Sequence, residues 1–179
     1  MTARTVPLVP FPGKPHPKIA INVEATRLRG QLRLWYVITG AIEGLVMPPL
    51  GKPAREDGLW HHSCCEAFVR SGAGTAYREI NLSPSGKWAA YDFDAYRKGG
   101  SNPEMRPPMI STAVVKGRFA VGADLHFDGA MASAPWHVGL SAVIEAKDGN
   151  KSYWALSHAG DKPDFHNADC FTLELPAAG

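Results

Sequence analysis

Apolar and polar residues alternate along most of this chain, in short runs separated by turn residues. A period of two belongs to β-strands, whose successive side chains point to opposite faces. Such runs cover 19–24 and 31–38, around a turn at Arg29-Gly30, and then 63–70. They recur at 110–115 and 118–125, around Lys116-Gly117, and at 136–145, 153–158 and 171–175. Proline and glycine mark loops over 47–53 and 98–108 and turns over 71–74 and 147–150. Helical periodicity is nowhere sustained; 130–134 and 94–98 offer a turn of helix at most. Many short strands with frequent turns predict an all-β protein, specifically a single antiparallel β-sandwich over 18–179. Residues 1–17, with Pro7, Pro10, Pro12, Pro15 and Pro17, read as an extended N-terminal arm or edge segment.

One run departs from plain alternation. Residues 77–97 read as two strands joined by the turn Ser83-Pro84-Ser85-Gly86. In the first strand Ile80 and Leu82 share a face, opposite Tyr77, Glu79, Asn81 and Ser83. In the second, Trp88, Ala90 and Asp92 share a face, opposite Ala89, Tyr91 and Phe93. Aromatic planes beside carboxylates and amides suit a ligand better than they suit bulk water.

Composition narrows the function classes. The 179 residues suit one domain with a real core. The net charge of +2 comes from scattered Lys and Arg, which gives no support to a nucleic-acid partner. No apolar run approaches the ~18–20 residues of a membrane-spanning helix. Three cysteines, with Cys64 beside Cys65, make no disulfide framework, and the first residues carry no apolar signal segment. A cytoplasmic protein is the expectation.

Three pieces carry a family resemblance. They are Asp57-Gly-Leu-Trp60 followed by Cys64-Cys-Glu66-Ala-Phe68; Tyr77-Arg-Glu79-Ile-Asn81 continuing through Trp88 to Tyr91; and Ser152-Tyr-Trp154-Ala-Leu-Ser-His158 with Pro163-Asp-Phe-His166. In combination they resemble the bacterial DOMON-like proteins, related to the family 9 carbohydrate-binding modules, over most of 19–175. The resemblance implies a jelly-roll-like β-sandwich with a ligand site on or between its sheets. Members of the wider superfamily bind sugars or haem; the carbohydrate-binding modules hold a sugar between aromatic planes. Cys65 stands where the resemblance leads one to expect a bulky aromatic.

The residues themselves offer several sites. For a sugar, Trp60, Trp88, Tyr91 and Trp154 supply flat surfaces. Glu66, Glu79, Asn81, Arg97 and His158 supply hydrogen bonds, with Asp92 as a further acceptor and His166 on a turn preset by Pro163. Trp88 and Trp154 are expected to stack, and Glu79, Asn81 and Arg97 to hold hydroxyls. Against this, a strand tryptophan taken singly more often belongs to the core. For a metal, His62, Cys64, Glu66 and His166 are candidates, but no Cys-x-x-Cys pair is present. For haem, Met105, Met109 or Met131 with His126 or His137 are candidates, without a Cys-x-x-Cys-His attachment. For catalysis, Glu66, Glu79 and Asp92 could pair as acid and base, and Cys64 with His62 or His166 as nucleophile and base. No nucleotide or hydrolase fingerprint accompanies them.

The expectation is therefore a non-catalytic module for a small polar ligand, first of all a saccharide. No cofactor, metal, nucleic acid or membrane is required. A haem-binding redox module and a protein-interaction domain are the rival readings. The sequence leaves the oligomeric state open.

Overall fold

The computed structural model describes residues 1–177. Its strands are β1 (Thr2–Pro10), β2 (Ile19–Leu28), β3 (Gln31–Gly40), β4 (Ala54–Arg55), β5 (Cys64–Ser71), β6 (Tyr77–Leu82) and β7 (Lys87–Ala95). They continue with β8 (Lys98–Ser101), β9 (Met109–Val115), β10 (Arg118–His126), β11 (Trp136–Glu145), β12 (Lys151–Ala155) and β13 (Leu173–Leu175). One helical turn, α1 (Gly129–Ser133), lies near the expected 130–134. The other expected turn, at 94–98, is instead a tight connection between β7 and β8.

The strands form one hydrogen-bonded path, β4-β7-β6-β5-β11-β12-β1-β2-β3-β10-β9, with β8 beside β7 and β13 beside β11. All pairings are antiparallel except β4 with β7. The path cannot be flat. Strand β3 lies five steps from β5, about 24 Å away in a flat sheet, yet Tyr36 Oη donates to the Glu66 carbonyl at 2.7 Å. The sheet curls until its two halves enclose one core.

Alternation explains that core. Val23, Leu34, Tyr36 and Val121 from one half meet Ala67, Ile80, Leu82 and Leu140 from the other. The half containing β2 also buries a charged group. Arg27 is fully buried, stacked 3.6 Å from the Trp136 ring centroid. Its guanidinium donates to the carbonyls of Leu175, Ala132 and Ala134, so its polar atoms are not orphaned.

The proline-rich segment contains a long strand. Val6 lies opposite Val23 and Leu8 opposite Ile21, while Val9 and Pro10 pair with Ala155 and Trp154. Strand β1 thus passes from one half of the sheet to the other.

Candidate functional site

The outer face of the β5–β6–β7 and β11–β12 region carries a second apolar cluster and a cavity of about 490 Å³. Such a volume falls within the range of small-molecule sites. Strand register determines which residues reach it. The β6–β7 connection is a three-residue loop, Pro84-Ser85-Gly86, closed by Ser83 N–H on the Lys87 carbonyl at 2.9 Å. Gly86 sits at φ 84°, the left-handed position this loop type requires. The loop sets Tyr77 opposite Phe93, Glu79 opposite Tyr91 and Leu82 opposite Trp88. Glu79, Tyr91 and Phe93 therefore share the cavity face.

Trp88 goes the other way. It is 8% exposed and packs in the main core beside Leu82. Trp154 is likewise in the core, opposite Ala142, with its indole N–H donating to Ser152 Oγ at 2.9 Å. The two tryptophans expected to stack on a ligand thus lie on the inner face. Tyr153, one residue from Trp154, lines the cavity in its place. His158 falls beyond the end of β12, where alternation no longer applies. Its Nε2 lies 2.9 Å from the Val9 carbonyl, its ring packs edge-on against Phe11, and it does not line the cavity.

Six of the ten expected residues do line it: Trp60, Glu66, Glu79, Tyr91, Arg97 and His166. Trp60 stands at the rim on a 3-10 turn (Leu59–His61), which Gly58 enters at φ 76°. Its ring meets Tyr91 edge-on. Asn81 is fully buried behind the floor and donates to Glu79 Oε1 at 2.8 Å. Asp92 turns away and pairs with Arg78 in a bidentate bridge at 2.7 and 2.8 Å. The apolar walls Phe68, Phe93, Tyr153 and Phe165 were not named as site residues.

The turn at Pro163 braces the site as well as lining it. Asp164 accepts from the His166 backbone N–H, from Tyr96 Oη and from Arg97 Nη2. The last contact, at 2.9 Å, fixes the Arg97 side chain, whose residue holds a left-handed φ of 52°. Arg97 N–H donates to Tyr77 Oη, so the Tyr77 proton is free for His166 Nδ1 at 2.8 Å. The His166 Nε2 lies 3.7 Å from Glu79 Oε2.

The electrostatics follow from dryness. Burial pushes the Glu66 carboxyl up to about 8, helped by Glu79 and opposed by the Ser141 hydroxyl. Glu79 is also raised by burial, with Asn81 and Arg97 pulling the other way. Burial and the Arg97 charge lower His166 to about 4. His166 is therefore neutral at pH 7, and its contact with Glu79 is not an ion pair there. At neutral pH the floor holds a protonated Glu66, able to donate as well as accept.

Of the other candidate constellations, the carboxyl pair Glu66 and Glu79 does meet at this cavity, without Asp92, whereas the metal, thiol and haem sets do not gather there. His62 is drawn to Glu145 at 2.8 Å, and the Cys64 thiol, pushed well up by burial, lies beneath Asn81. Among the described residues no group of three His, Cys, Asp or Glu side chains is arranged to hold a metal ion. Met105, Met109, Met131, His126 and His137 are absent from its lining, and Met109 is exposed on β9.

No family model and no curated protein matches the chain. Solved structures do. A Bacteroides uniformis protein described as a candidate carbohydrate-binding protein aligns over 95% of this chain and 84% of its own, with a TM-score of 0.67 and 13% identity. A family 9 carbohydrate-binding module from Caldicellulosiruptor kristjanssonii in complex with cellotriose aligns over 92% and 78%, with a TM-score of 0.55 and 8% identity. A module of the same family and organism in complex with glucose aligns over 79% and 69%, at 0.50 and 6%. At these identities the likeness is one of fold.

Proposed function

We propose that this protein is a non-catalytic β-sandwich module, jelly-roll-like, that binds a saccharide in the cavity over β5, β6, β7 and β12. The observation that carries the reading is the cavity itself. Its floor is polar and buried, with Glu66 and Glu79, and its walls are aromatic, with Tyr91, Phe93, Tyr153 and Phe165. A pyranose needs both, since its C–H faces pack on rings while its hydroxyls need donors and acceptors. Protonated Glu66 donates to a hydroxyl, Glu79 accepts from one, and Arg97 makes a charge-assisted bond. The likeness in fold to modules that bind cellotriose and glucose supports the same reading.

Calorimetry of the purified protein with glucose and cellotriose, followed by a glycan array, tests it. Saturable binding is expected, with a change in tryptophan fluorescence, because Trp60 is the one tryptophan among the lining residues. A folded protein that binds no saccharide in either assay would refute the proposal.

A further inference from the structure

Glu66 is 3% exposed, yet its carboxyl opens onto the cavity. Ser141 Oγ donates to its Oε2 at 3.1 Å, and no described residue donates to Oε1. Glu79, 6% exposed, lies diagonally across the β5–β6 pair, where Glu66 is opposite Asn81 and Phe68 opposite Glu79. Its Oε1 takes the Asn81 amide, and its Oε2 meets only the neutral His166 ring at 3.7 Å. Among the described residues no Lys or Arg nitrogen lies within 4 Å of either carboxyl. Arg97 lines the cavity but is tied to Asp164, and Lys151 is exposed on β12.

Glu66 Oε1 and Glu79 Oε2 thus face the cavity without a hydrogen-bond donor from the described residues, and buried polar atoms call for a partner. The rings around them are the surfaces that attract cations. We propose that the cavity selects saccharide units bearing a free, protonated amine, with the ammonium seated between Glu66 and Glu79. This rests on the saccharide reading of the same cavity. An ammonium has three donors and fills the open Glu66 Oε1 and Glu79 Oε2. N-acetylation removes the charge.

A proton accompanies binding. Facing Glu66 are Glu79 on β6, Tyr91 on β7 and Lys151 and Tyr153 on β12. Cys64 and Cys65 on its own strand, Tyr36 on β3 behind it and, from the loops, His61, Arg97 and His166 also belong to the titratable neighbourhood. The arriving cation favours the charged form of Glu66, which is protonated near neutrality in the free protein, so a proton leaves.

Titrations of glucosamine, N-acetylglucosamine and glucose at pH 6.5, each in two buffers of different ionisation enthalpy, test the proposal. Glucosamine is expected to bind at least about tenfold more tightly than either neutral sugar, with a buffer-dependent enthalpy that reports proton release. Glu66→Gln, with Glu79→Gln as a second variant should the first not fold, is expected to bring the glucosamine-to-glucose affinity ratio below about threefold, with glucose itself bound more weakly because a hydroxyl partner is altered. If glucose binds and glucosamine binds no better, this inference falls and the saccharide reading stands. If no sugar binds the folded protein, both fall.

Discussion

Trp88 and Trp154 fill the main core at 8% and 2% exposure, whereas Tyr91 and Tyr153 line the cavity. Truncations should separate accordingly. Trp154→Ala is expected to cost ~3–5 kcal/mol in urea unfolding, the range for a large buried aromatic. Tyr153→Ala is expected to change the unfolding free energy by no more than about 1 kcal/mol and to weaken saccharide binding by at least about tenfold, read by calorimetry. Acid–base behaviour also belongs to single residues. Glu66 holds its proton in the folded state up to about pH 8, whereas the unfolded carboxyl releases it near 4.5. Between those values the folded state binds more protons, so its contribution to stability falls as pH rises. His166 has the opposite slope, between about 4 and 6.5, because the unfolded ring takes the proton first. The two oppose one another in mildly acid solution. From pH 6.5 to 8 Glu66 acts without that opposition, and urea midpoints should decline over that window. Glu66→Gln should flatten the decline. A midpoint that rises from pH 6.5 to 8 would contradict the burial of Glu66.

At the scale of elements, the β6–β7 hairpin decides the site. The polar face of β6, with Glu79 and Asn81, is readable from alternation, and so is the split of Trp88 from Tyr91 on β7. What joins them is register, and register follows from the loop closed at Ser83 and Lys87. A three-residue loop ending in glycine was a signal in the sequence that would have named Tyr91 and Phe93, not Trp88, as partners of Glu79. Gly86→Ala should strain this loop, because φ is 84° and an added Cβ meets Leu50 Cδ1 at 3.1 Å. A loss of ~1–2 kcal/mol in urea unfolding is expected. Strand β1 is the other decisive element. Its prolines read as an extended arm or edge segment, since proline weakens ladders; within it Leu8 is 4% exposed opposite Ile21 and Val9 pairs with Ala155. Leu8→Ala should cost ~2–5 kcal/mol; a thermal melt unchanged by the substitution would show β1 to be dispensable.

For the whole molecule, ligand binding and folding are linked. The cavity is built from β5, β6, β7, β11 and β12 and closed by the turn at Pro163, so unfolding destroys it. A saccharide at a hundred times its dissociation constant should add about 2.7 kcal/mol. For a chain of this size that raises the melting temperature by several degrees, about 2–4 °C per kcal/mol. The rise should follow a single-site isotherm in ligand concentration.

Alternation in the sequence by itself determined that the chain is mostly strand, where most strands lie and which residues share a face within each. These depend on a period of two and on local turn chemistry, both written in adjacent residues. Only the tertiary structure decided which face looks inward. Trp88 and Trp154 are turned to the core because the other half of the sheet, with Leu34, Tyr36 and Val121, curls over that face and excludes water from it. Glu66, Glu79 and Tyr91 meet on the opposite face because distant segments, the turn at Pro163 and the rim at Trp60, close around them. Contacts across such separations leave no periodic trace along the chain.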